Sequence, residues 1–177
     1  MNAAILLLAA VAVLGSFVWL LTRGRIILRF ALWLVVIASK IAGLDFMQYL
    51  VIAIPASVVG DILLRQAASQ QGSGLRPSIS TSFSAWLCLA AVLVQLWGLY
   101  TRHVAADLCI TVVLGAAFFL LAGRRGAFRT VGRMGFALLI AGIAWDPLDG
   151  GLAKDYCNLS YLLVTGGQAA LTLCFLM

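Results

Sequence analysis

AAILLLAAVAVLGSFVWLLT, from Ala3 to Thr22, decides the fold. It is an uncharged apolar run, and about twenty such residues wound as a helix cross the hydrocarbon core of a bilayer. No basic residue precedes it and no clear small-residue cleavage site follows, so it reads as a retained helix rather than a secretory leader. Six further windows of the same kind follow: Ile26 to Gly43, Met47 to Leu64, Thr81 to Tyr100, Ala105 to Gly123, Val131 to Trp145 and Leu159 to Leu176. The window at Val131 to Trp145 is the shortest. None alternates with the two-residue period of a barrel strand, and lipid offers unpaired backbone groups no water, so helices are the remaining solution.

Composition agrees. Of 177 residues, 64% are apolar and 10% charged, which excludes a mainly water-soluble fold. The reading is an all-α, polytopic membrane protein with about seven transmembrane helices in a single domain, 1–177. Its basic residues sit at the ends of apolar runs instead of forming a stripe, which argues against nucleic acid as a partner. Arg23, Arg25, Arg29, Arg65, Arg76, Arg124, Arg125, Arg129 and Arg133 fall at one face, against Lys40, Arg102 and Lys154 at the other. That asymmetry predicts an outside N-terminus and a cytoplasmic C-terminus. Asp45, Asp107, Asp146, Asp149 and Asp155 then lie at the outer face, with Trp97, Tyr100, Trp145, Tyr156 and Tyr161 in the outer aromatic belt. The longest polar connection, residues 66–80 (QAASQQGSGLRPSIS), reads as a flexible cytoplasmic loop. No internal repeat marks an inverted-repeat transporter.

Few side chains offer chemistry. Asp61 lies within or at the end of the third window, where a carboxylate costs roughly 2.5 to 3.5 kcal/mol at mid-membrane. It either pairs with Arg65, four residues on, or serves as a ligand or proton site. Upstream, Pro55 bends the helix, and Ala56 with Gly60 forms a small-residue surface for a neighbouring helix. Gly166 with Ala170, and Ala137 with Ala141, suggest the same. WDPLDGGLAKDYCNLSY, Trp145 to Tyr161, is the most polar concentration. Lys154 would hold an anionic group there while Asp149 or Asp155 accepts a proton. Alternatively, Asp146-Pro147 and Gly150-Gly151 turn the chain and Asn158 or Ser160 caps the last helix.

His103 is the sole imidazole. Arg124, Arg125, Arg129 and Arg133 either fix topology at lipid headgroups or grip phosphates. Cys88, Cys109 and Cys174 read as packing residues and Cys157 as an outer-loop thiol; no spacing suits zinc.

Three stretches, YLVIAIPASVVGDILLR (Tyr49 to Arg65), LWGLYTR (Leu96 to Arg102) and DGGLAKDYCNLSYLLVTGGQAAL (Asp149 to Leu171), together resemble the C-terminal half of bacterial multi-span proteins similar to heparan-alpha-glucosaminide N-acetyltransferase. The third is the most specific, similar to a Gly-Gly-x-x-Lys-Asp pattern leading into a Ser-Tyr and Val-Thr-x-Gly helix. The resemblance covers Asp45 to Leu176, and Asp61, Arg102, Asp149, Gly150, Gly151, Lys154, Asp155, Ser160, Tyr161, Thr165 and Gly167 match it. It implies an ancestry in which acetyl groups from cytoplasmic acetyl-CoA are passed across the bilayer to a sugar amine or hydroxyl. The family's N-terminal half, with its Leu-Asp-x-x-Arg-Gly signature, has no counterpart in the sequence.

The expectation is therefore a truncated, acyltransferase-like protein of the bacterial cytoplasmic membrane, non-catalytic alone. It would act as an accessory or structural subunit among other membrane proteins and require no cofactor. Asp61, Arg65, Gly60, Gly166 and Ala170 are its structural or partner-contact residues. The alternative is the C-terminal half of a split acetyl-CoA-dependent acyltransferase using Lys154, Asp149 and Asp155. A small transporter using Asp61 is the third reading.

Overall fold

The computed structural model describes residues 3–44, 48–70, 79–122, 126–151 and 157–177. They form seven helices and no strand: α1 (Ala3–Thr22), α2 (Ile26–Ile41), α3 (Leu50–Gln70), α4 (Ile79–Thr101), α5 (Val104–Leu121), α6 (Ala127–Trp145) and α7 (Leu159–Leu176). Each apolar window of the sequence thus becomes one helix. Among the described residues, four helical segments are long and apolar enough to cross a membrane: Phe83–Thr101, Val104–Leu121, Ala127–Trp145 and Leu159–Leu176.

Two compact units divide the chain, Met1–Gly60 and Asp61–Met177. In the first, α1 and α2 pack on one another across the turn at Arg23 to Arg25. Arg29 is buried; its Nε donates to Thr22 Oγ1 at 3.2 Å, and that hydroxyl donates to the Val18 carbonyl at 2.6 Å. Trp33 of α2 ties to α3 by donating its indole N–H to the Val51 carbonyl at 2.9 Å. Pro55 lies inside α3, which continues past it.

The second unit is a ring of four antiparallel helices. α4 packs on α5, α5 on α6, α6 on α7, and α7 closes back on α4. Its core is Phe118, Val131, Phe136, Leu139, Leu162, Val164 and Leu171, each almost fully buried. The Phe118 ring lies 5.4 Å from Phe136 and 5.7 Å from Phe128. α6 and α7 approach closely enough for backbone to meet backbone: a Cβ on Gly167 would lie 2.8 Å from the Leu139 amide nitrogen, and one on Gly142 would lie 2.8 Å from that of Val164. Helices associating in lipid gain chiefly from such van der Waals contact, which only small residues permit. The seam runs through Gly135, Gly142, Gly167 and Ala170, whereas Ala137 and Ala141 are exposed and Gly166 is half-exposed. On α7 it therefore runs through Gly167, one residue beyond Gly166.

Several expectations take a different form. α6 is longer than its apolar window because its first two turns tolerate charge: Arg129 Nη2 donates to the Phe119 carbonyl at 3.5 Å, and the Arg133 guanidinium sits 4.7 Å from the Phe119 ring centre. Both arginines brace the C-terminal end of α5, where cations oppose the helix dipole. The 66–80 segment is helical in α3 through Gln70 and again from Ile79; residues 71–78, Arg76 among them, lie outside the described residues. Ala56 is exposed and a Cβ on Gly60 would meet nothing within 4 Å.

Candidate functional site

α4 and α5 meet as a hairpin through Arg102 and His103, and that turn carries a carboxylate into the ring. Asp107 stands in the first turn of α5 and is 3% exposed. Gln95, twelve residues earlier on α4, donates its Nε2 to Asp107 Oδ2 at 2.7 Å. Thr111, one turn along α5, lies 3.5 Å from Gln95 Oε1 and donates to it. Both partners are fully buried. The Asp107 carboxylate is laid against bare α4 backbone, since a Cβ on Gly98 would come within 2.7 Å of both its oxygens. Asp107 Oδ1 has no hydrogen-bond partner. A half-satisfied carboxylate inside an apolar bundle is costly, and such residues face cavities or substrate paths.

A cavity does open there. It holds about 670 Å³ at the end of the ring where α4 and α6 finish and α5 and α7 begin. Gly98, Leu99 and Arg102 of the α4 end, and Val104 and Asp107 of α5, form one wall; Ile143, Asp146, Gly150 and Gly151 form another, with Tyr161, Val164, Thr165 and Gln168 of α7 completing it. Gln168 Nε2 is also buried and makes no hydrogen bond. Arg102 follows the last residue of α4 with φ of +55°, the left-handed region where helices usually place glycine. A side chain there costs about 1 kcal/mol or more. The guanidinium is exposed, and among the described residues no carboxylate pairs with it.

The turn that follows α6 is fixed by its own bonds. The Gly151 amide donates to the Asp146 carbonyl at 3.1 Å, Gly150 and Gly151 take φ of +74° and +109°, and Asn158 Nδ2 donates to the carbonyls of Gly151 at 3.1 Å and Asp149 at 3.4 Å. Asp149 Oδ2 accepts the Ser160 backbone N–H at 2.8 Å, in the first turn of α7. It thus satisfies an amide that the helix leaves without a partner. Asn158 occupies the N-cap position without capping by its side chain. Lys154, Asp155 and Tyr156 lie outside the described residues.

Other sequence candidates sit apart from the cavity wall. His103 is exposed at the N-cap position of α5. Asp61 is half-buried and Arg65 exposed. Cys88, Cys109, Cys157 and Cys174 are free thiols, and Cys174 donates to the Phe128 carbonyl at 3.3 Å. Among the described residues no cluster of His, Cys and acidic groups forms a metal site. The sequence does not single out Gln95, Gly98, Thr111 or Gln168; it places Asp107 at the outer face and Asp146 there and in a turn with Pro147. The available signal was an aspartate, Asp107, inside the otherwise uncharged window Ala105 to Gly123. Compared with family models, curated proteins and solved structures, the chain matches none of them.

Proposed function

We propose that this is an acyltransferase-like integral membrane protein, non-catalytic by itself, that acts as an accessory subunit of a larger membrane complex and contributes to it a binding cavity for a small polar molecule. One observation supports the binding role: Asp107, 97% withdrawn from solvent, lines a cavity of about 670 Å³ with one carboxylate oxygen uncommitted. The described lining holds carboxylates, a guanidinium, amide and hydroxyl groups, a set able to hold a small polar molecule by charge and hydrogen bonds. For seven spans in a bacterial cytoplasmic membrane, the arginine asymmetry supports an outside N-terminus and a cytoplasmic C-terminus, so that the cavity opens outward.

Purification in mild detergent, with mass spectrometry of copurifying chains, tests the subunit role. A stable complex is expected, along with unchanged activity of that complex in Lys154→Ala. A chain that purifies alone in every detergent sinks the reading. Labelling of single engineered cysteines tests topology: tails reached from the same side of the bilayer contradict seven spans.

The free Asp107 Oδ1 also favours a second reading, the C-terminal half of a split acetyl-CoA-dependent acyltransferase. There the carboxylate would accept the proton of an attacking amine or hydroxyl. A copurifying chain with the Leu-Asp-x-x-Arg-Gly signature, and acetyl-CoA turnover lost in Asp107→Asn, would favour it.

A further inference from the structure

We propose that the cavity recognises a zwitterion in which a protonated primary amine is carried a few bonds from an anionic phosphodiester or carboxylate, the amine on Asp107 and the anion on Arg102. The inference rests on the binding reading above and names the ligand class.

Asp107 is the first half. It is 3% exposed, Gln95 occupies only Oδ2, and Oδ1 accepts nothing. A carboxylate so placed needs a donor, and a charged N–H donor most of all, because hydrogen bonds between ionised partners are about twice as strong as neutral ones. Arg102 is the second half. It lines the same cavity, its guanidinium is exposed, and its backbone holds the left-handed conformation that glycine would adopt without strain. A strained residue at a cavity mouth points to a use for its side chain. Gln168 Nε2, buried on α7 without a partner, adds a donor for the anionic end.

The pairing excludes simpler ligands. A bare cation would leave Arg102 facing it, and a bare anion would meet Asp107 across a low-dielectric cavity, where like charges repel strongly. A molecule with both charges satisfies both walls. Two sources share this chemistry: an ethanolamine phospholipid whose headgroup enters from the bilayer, and a free solute such as an amino acid.

Calorimetric titration of the full chain in maltoside micelles with glycerophosphoethanolamine tests the claim. Saturable binding is expected. Glycerophosphocholine, which lacks N–H donors, glycerophosphoglycerol, which lacks the cation, and ethanolamine, which lacks the anion, should each bind at least about tenfold more weakly, as should Arg102→Gln and Asp107→Asn toward the first probe. Arg102→Gln alters an exposed side chain and serves if Asp107→Asn does not fold. Native mass spectrometry from micelles doped with equal phosphatidylethanolamine, phosphatidylcholine and phosphatidylglycerol separates the sources: enrichment of the first identifies the lipid, and its absence beside binding of the soluble probe identifies a free solute. Equal binding of all probes, binding unchanged in both variants, or no binding at all overturns the proposal. Should that occur while the copurifying complex persists, only the ligand class fails.

Discussion

The Trp33 indole N–H is bonded to the Val51 carbonyl at 2.9 Å, and Val51 is the residue whose helical acceptor Pro55 deprives of a donor. Four positions separate them, and proline has no N–H to give back. Val51 is 1% exposed, so no water can serve instead, and a neighbouring helix supplies the missing donor. The proline and the tryptophan are therefore one device. Trp33→Phe should destabilise the first unit by about 1 kcal/mol through that lost bond. Pro55→Ala, which restores an amide at position 55, should remove most of this penalty, as a double-mutant cycle of thermal unfolding in micelles would detect. Equal cost on both backgrounds would contradict the pairing.

The Gln95 and Asp107 pair predicts an asymmetry. Gln95→Leu strands a buried carboxylate and should cost about 2 to 3 kcal/mol. Replacing both by leucine removes the charge as well as its partner, so the double variant should unfold at a higher temperature than Gln95→Leu alone. A double variant less stable than the single one would mean that the carboxylate is paired by a group other than Gln95.

Helix positions were legible from sequence because apolar runs are local: all seven windows became helices, and α7 keeps the bounds Leu159–Leu176. The site was not legible, because it is made by helix register. Gln95, Gly98 and Asp107 converge only once the turn at Arg102 and His103 brings α4 beside α5, and no local pattern says which face of α4 will meet an acid. Asp107 carried a signal, an acid in an apolar window, that its closeness to the end of that window disguised. Asp146-Pro147 and Gly150-Gly151 were legible as a turn and Asn158 or Ser160 as a cap, but the capping bond runs from Ser160 N to Asp149, which depends on how the turn folds back. Gly167 instead of Gly166 at the α6 seam is a one-residue difference in rotation that small-residue spacing alone does not resolve.

Glycines separate by surroundings. At Gly98 a methyl group has no room beside the Asp107 oxygens, so Gly98→Ala should push the carboxylate out of place, lower the unfolding temperature and weaken ligand binding together. At Gly60 a methyl group meets open space, and the better helix propensity of alanine should make Gly60→Ala neutral or stabilising by up to about 1 kcal/mol. Both are read from thermal unfolding; a tolerated Gly98→Ala would show that α4 and α5 do not meet at that register.

Asp149 offers the sharpest separation of structure from chemistry. Its Oδ2 receives the Ser160 amide of the first turn of α7, so Asp149→Ala should cost about 1 kcal/mol, the usual worth of a lost cap. Asparagine keeps an oxygen in place to accept that N–H yet cannot take up a proton at neutral pH. If the residue works as a cap, Asp149→Asn should unfold close to the wild-type temperature and leave any activity of the purified complex intact, with only the alanine variant impaired. If it were instead the proton acceptor of an acyl transfer, Asp149→Asn would fold normally and lose turnover, a result that thermal unfolding and acetyl-CoA consumption measured on the same preparation would reveal.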